Sequence, residues 1–147
     1  MTYNREEKIV LEFISAYRDS WPDDMAAALL PLAEDAYYQI VVPTIPPVHG
    51  REHILAEHNL MRQKVSDQRH EMLNIASHGN VVFTERVDYS CRNDKWTAVP
   101  LVAVFELSDD GKITAWREYL DLANTSRQHG MTAEELIQSL DLAPAGT

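Results

Sequence analysis

At 147 residues the chain has the length of one domain, and a formal net charge of −10 argues against nucleic acid or an anionic membrane as partner. Hydrophobic residues at 45% and charged residues at 24% are ordinary globular composition, and no apolar run approaches the roughly 18 residues a membrane span needs. Cys91 is the single cysteine, which excludes an internal disulfide, and MTYNREEK carries no export pattern, so a reducing cytoplasm is the expected location.

In chain order, Asn4 with Glu7 reads as a capping box that starts a helix. Ile9, Val10, Phe13, Ile14 and Tyr17 then recur at helical spacing. Ser20 and Pro22 open a second short helix through Met25, Leu29 and Leu32. Residues 36–42, AYYQIVV, are aromatic and β-branched and predict a strand. Pro43, Pro46, Pro47 and Gly50 predict a loop, followed by a third helix over 51–64.

The period then changes. Residues 69–78, 81–91, 96–107 and 113–122 predict four strands separated by the turn-rich HGN, RNDK and SDDGK, which implies antiparallel pairing in a meander. A tail from 123 follows, in which Thr132 and Glu135 cap a short helix. Helices followed by a run of strands give the class α+β, in a single domain over 1–147 whose sheet can wrap the helices and leave a cavity.

Alternation along VVFTERVDYS places Val82, Thr84, Arg86, Asp88 and Ser90 on one face. Along ITAWREYLDL it separates Ile113, Ala115, Arg117, Tyr119 and Asp121 from Thr114, Trp116, Glu118, Leu120 and Leu122. Alternation does not say whether Asp121 faces Arg86. Taken by pattern alone, Arg86 and Asp88 read as a solvated charge ladder, since such residues are mostly exposed.

His49, His53 and His58 form no metal set, because His53 and His58 lie off a common helix face and no cysteine pair or carboxylate sits at ligand spacing. No metal is expected. Trp21, Trp96 and Trp116 read as core or interface residues, Met25, Met61 and Met72 as core or pocket lining, and Cys91 as an inert thiol.

Thr84-Glu85-Arg86-Val87-Asp88 resembles the strand of limonene-1,2-epoxide hydrolases that carries their arginine and acid aspartate. Trp116-Arg117-Glu118-Tyr119-Leu120-Asp121-Leu122 resembles their closing strand with its base aspartate. Further matches are Glu7-Lys8-Ile9-Val10-Leu11-Glu12-Phe13, Ala33-Glu34-Asp35 ahead of Tyr38-Gln39, and Pro46-Pro47 with Gly50-Arg51. Together they run in order over about residues 6–122.

The resemblance implies the cone of the nuclear transport factor 2-like and ketosteroid isomerase-like superfamily. In that fold a curved mixed sheet wraps around three helices of the N-terminal half and encloses a pocket. It also implies a homodimer paired through the exposed sheet face, and a cofactor-free addition of water to a small apolar epoxide, giving a vicinal diol in one step. Asp121 is then the general base, Asp88 the general acid, Arg86 the bridge between them, and Tyr38 a holder of the attacking water. The family places an asparagine two residues after that tyrosine, where this chain has Ile40, and the following loop, VVPTIPPVHG, is about two residues longer than the family pattern. That departure keeps two other readings open: a cone-fold isomerase or cyclase, and a pocket that binds a small hydrophobic ligand without catalysis.

Overall fold

The computed structural model describes residues 2–139. Helix α1 spans Arg5–Ser20 and starts at the expected capping box, with the Glu7 amide donating to Asn4 Oδ1 at 2.8 Å and the Asn4 amide to Glu7 Oε1 at 3.3 Å. Its apolar stripe buries Val10, Phe13 and Tyr17 against the sheet.

Helix α2 is shorter than predicted. It covers only Met25–Ala28, capped by Asp24, and the chain enters strand β1 (Leu32–Gln39) at the residue expected to be still helical. Strand β1 also stops earlier than expected, because Val41 adopts a positive φ of 58° and Pro43 follows it. Within the proline loop a two-residue strand, β2 (Val48–His49), pairs antiparallel with Tyr37 and Tyr38. Gly50, at φ 90°, turns the chain into α3 (Arg51–Met61), a conformation that favours glycine.

The meander is β3 (Asp67–His78), β4 (Val81–Arg92), β5 (Lys95–Leu107) and β6 (Ile113–Leu120). Asn93 and Asp94, both at positive φ, make the two-residue turn between β4 and β5, as the sequence RNDK suggests. Strand β6 pairs antiparallel with β5 and parallel with β1, so the six strands run β2-β1-β6-β5-β4-β3 in one mixed, unclosed sheet. Register breaks between Met72 and Asn74 and between Glu106 and Leu107 are bulges of the kind that bend a sheet. The fold is the predicted α+β cone, a curved sheet closed by the N-terminal helices.

Strand β6 ends at Leu120, and the next residues form a helix the sequence reading lacks, α4 (Leu122–Gln128). Helix α5 (Ala133–Ser139) begins where Thr132 and Glu135 exchange hydrogen bonds, as expected. Gln128 clamps α4 to β5, accepting from the Ala98 amide at 2.8 Å and donating to its carbonyl at 2.6 Å. The end of the predicted tail, 140–147, lies outside the described residues.

The core lies between α1 and the concave sheet face. Phe13, Tyr17, Phe105 and Trp116 pack edge-to-face or stacked, with ring centroids 5.2–6.2 Å apart. Trp21 is buried and donates to the Val65 carbonyl, while Trp96 lies on the surface beneath Arg69. Among the described residues no helix is long and apolar enough to cross a membrane.

Candidate active site

A cavity of about 150 Å³ opens between α1, the concave face of β4–β6 and β1, and the segment α4–α5. An apolar cavity of that size takes a molecule about as large as benzene. Its walls are mostly apolar, with Phe13, Ile40, Val99, Leu101, Phe105 and Trp116 among them.

Polar groups enter this space from alternate residues. On β4, Thr84, Arg86 and Asp88 turn inward while Phe83 and Glu85 are exposed. Thr84 and Arg86 are buried and Asp88 is half-buried at the mouth, so the charge-ladder reading is overturned. The Arg86 guanidinium grips Asp88 with two bonds, Nε to Oδ1 at 2.8 Å and Nη2 to Oδ2 at 3.1 Å. Its Nη1 donates to Thr84 Oγ1 at 2.8 Å. The same Nη2 reaches Glu118 Oε2 at 2.7 Å. One guanidinium thus ties together two carboxylates.

Tyr38 comes from β1, whose parallel register sets it against Trp116 on β6. Its hydroxyl donates to Glu118 Oε1 at 3.0 Å, so both oxygens of Glu118 are held. Tyr37, its neighbour, points to the other side and binds Arg117. Ile40, just past the end of β1, also lines the cavity.

Asp121 does not join this group. The expectation that it converges with Arg86 and Asp88 is corrected here. Alternation along β6 sends Trp116 and Glu118 into the cavity and Tyr119 outward. Asp121 follows the end of the strand, is exposed, and caps α4 by accepting from the Asn124 amide at 3.1 Å. It borders an outer groove with Glu85, Val102 and Tyr119. Glu118 occupies the inward place expected of Asp121. A signal for it was available: Glu118 alternates with Trp116, Leu120 and Leu122, the more apolar of the two sets, and such a set faces a core.

Burial, with the Asp88 charge added, raises the Glu118 pKa above the ordinary glutamate value, while Arg86 and the hydrogen bonds pull it back. Burial also opposes the Arg86 charge, but Asp88 and Glu118 outweigh it and the guanidinium stays charged. Burial and the charge of Glu118 push Tyr38 far up, so its hydroxyl remains a donor. With both carboxylates ionised beside one guanidinium, the group carries one negative charge in excess.

Two histidines flank the group. His70, opposite Asp88 in the β3–β4 register, lines the cavity with Nε2 4.0 Å from Asp88 Oδ1. His58 lies fully buried against Tyr17, Tyr38 and Trp116, and burial lowers its pKa to about 4. The sequence reading assigned no part to either.

The family model described as the limonene-1,2-epoxide hydrolase catalytic domain matches residues 5–129. Among solved structures, an LEH-like epoxide hydrolase from M. tuberculosis shares 21% identity over 91% of this chain and 98% of its own, with a TM-score of 0.69. SalBIII, an epoxide hydrolase/cyclase-like enzyme in pyran ring formation in the polyether salinomycin, shares 18% over 82% of this chain and 93% of its own, with a TM-score of 0.72. A protein described as a SnoaL-like polyketide cyclase from Shewanella denitrificans shares 14% over 87% and 98%, with a TM-score of 0.77. At these identities the likeness establishes a common fold, and the fold hosts more than one chemistry.

Proposed function

The chain belongs to the limonene-1,2-epoxide hydrolase family, and from that premise we propose that it adds water to a small apolar epoxide, without a cofactor, to give a vicinal diol. The observation that carries this reading is the guanidinium of Arg86 spanning Asp88 and Glu118 in an apolar cavity. Epoxide opening needs a proton for the leaving oxygen and a base for the entering water, and two coupled carboxyls supply both.

In this reading Asp88, at the position resembling the family's acid aspartate, protonates the epoxide oxygen. Glu118 removes the proton from water. Its raised pKa makes it a stronger base than an exposed carboxylate. Tyr38 holds Glu118 in place and presents its hydroxyl oxygen to the water. Arg86 fixes the spacing of the two carboxyls and stabilises whichever is ionised. The apolar walls accept a hydrocarbon ring and exclude bulk water.

Incubation with a panel of small cyclic epoxides in oxygen-18 water tests the reading. A diol carrying one labelled oxygen is the expected product. Absence of turnover across the panel sinks it.

Ile40 favours a second reading, in which the nucleophile is a hydroxyl of the substrate and the product is a cyclic ether. An isoleucine offers the attacking water no hydrogen bond, and a well-held water uses about two to four polar partners. Hydroxy-epoxides converted to unlabelled cyclic ethers, with no labelled diol, support that reading over hydrolysis. Ile40→Asn then separates the two further: under the hydrolase reading it raises diol formation, and under the cyclase reading it leaves an unpaired amide costing about 1–3 kcal/mol with no gain in rate.

A further inference from the structure

The proposed reaction leaves a proton to be moved. Water's oxygen forms the new C–O bond as its proton passes to Glu118; the epoxide C–O bond breaks, and its oxygen takes the proton of Asp88. Each cycle therefore ends with Glu118 protonated and Asp88 ionised. The proton cannot return through Arg86, which stands between them, because a guanidinium carries only donors and does not deprotonate in proteins.

On the other side of Asp88 stands His70. It is the cross-strand partner of Asp88 on β3, with Nε2 4.0 Å from Oδ1 and a side chain 9% exposed. Its Nδ1 is buried with no hydrogen-bond partner among the described residues, so none of them fixes the tautomer of the ring. The groups facing it are Asp88 and Arg86 from β4 and Arg18 and Tyr17 from α1.

We propose that His70 reloads Asp88 with a proton between turnovers, acting through that carboxyl and not on the substrate. The inference rests on the epoxide-opening reading. The imidazole takes a proton from water at the mouth of the cavity, and the imidazolium gives its Nε2 proton to Asp88 Oδ1 once the pair closes to hydrogen-bond distance. Glu118 returns its own proton to water, so the cycle balances. Burial holds the His70 pKa below the ordinary histidine value, with Arg86 and Arg18 helping and Asp88 opposing. The imidazolium is therefore a readier donor than an exposed one. His70 is a positioning residue for the proton, and Asp88 remains the group that meets the substrate.

The test compares the wild type with His70→Ala and His70→Gln on an epoxide that the wild type opens. Proton return follows the chemical step, so kcat falls by roughly tenfold or more while kcat/KM stays within about twofold. Added imidazole buffer restores kcat in His70→Ala in proportion to its concentration. A parallel fall in kcat/KM, or an unchanged kcat, overturns the proposal. A second measurement does not depend on activity: the His70 imidazole midpoint, followed by NMR, drops in Asp88→Asn because the raising charge is gone. An unmoved midpoint shows that the two groups are uncoupled and also overturns it. A wild type that opens no epoxide removes the functional reading and this step with it. A wild type that turns over without the kcat-specific loss removes this step alone.

Discussion

The two faces of the sheet carry the same residue types and treat them differently. On the outer face Arg117 pairs with Glu106 and Tyr37, partly exposed, and Asp121 stands in water at the start of α4. On the inner face Arg86, at 3% exposure, holds Asp88 and Glu118 against an apolar wall. A single step along β6, from Arg117 to Glu118, separates a solvated charge from an enclosed one. Exposed pairs are worth about 0–1 kcal/mol, whereas breaking a buried pair leaves a charge without a partner and costs about 3–5 kcal/mol. Where a charge sits therefore matters more than which residue supplies it.

The space between the inner face and the helices packed on it, which carry His58 on α3, copes with ionisable groups in two ways. Arg86 stays charged because it is paired, while His58 has no counter-charge and gives its proton up.

The largest effect on stability should come from breaking the pairing. Arg86→Met leaves two carboxyls facing one cavity without their cation, and we expect a loss of about 3–5 kcal/mol, read from denaturant unfolding at pH 7. The same change lowers less at acid pH, where the carboxyls are neutral. The outer-face control, Arg117→Met, should cost about 0–1 kcal/mol. Equal losses would erase the distinction between the faces.

His58 gives the next effect and sets its sign. Its folded pKa of about 4 lies below the unfolded histidine value of about 6.5, so the unfolded chain binds more protons between them. Stability contributed by the neutral ring is complete above about pH 6.5 and is lost as pH falls through about 4, amounting to about 3 kcal/mol. Melting temperature followed against pH should therefore fall through this window, and His58→Phe should flatten the fall. An unchanged slope in the variant would show that other groups cause it.

Asp121 supplies the smallest effect. Asp121→Ala removes the cap of α4 and should cost about 1 kcal/mol in thermal unfolding while leaving epoxide turnover within about twofold.

Much of this architecture was legible from residue order. The capping box at Asn4, the four meander strands and the turn at Asn93–Asp94 follow local rules of spacing and turn chemistry. Two short elements escaped. Strand β2 exists only by pairing with β1, and α4 is a seven-residue helix clamped by Gln128, so both depend on contacts distant in sequence. The site divided in the same way. Arg86, Asp88 and Tyr38 lie in the segments that resemble the family, where pattern alone reads the first two as exposed, and each lines the cavity. The carboxylate partner was misplaced because the resemblance was carried onto Asp121, three residues past Glu118, and alternation by itself does not say which face of β6 meets Arg86. His70 was missed because its importance lies in a cross-strand register, which one segment does not display.

The proposed reaction places the base at Glu118 and not at Asp121. The most direct measurement is epoxide turnover of Glu118→Gln and Asp121→Asn side by side, with circular dichroism confirming that each is folded. The expected result is a loss of roughly 10²-fold or more in Glu118→Gln and near wild-type turnover in Asp121→Asn. In the wild type, the acid limb of kcat/KM should lie above the ordinary carboxylate range, in the direction of the raised Glu118 pKa. Retained turnover in Glu118→Gln, or its loss in Asp121→Asn, would overturn the assignment of Glu118 as the base.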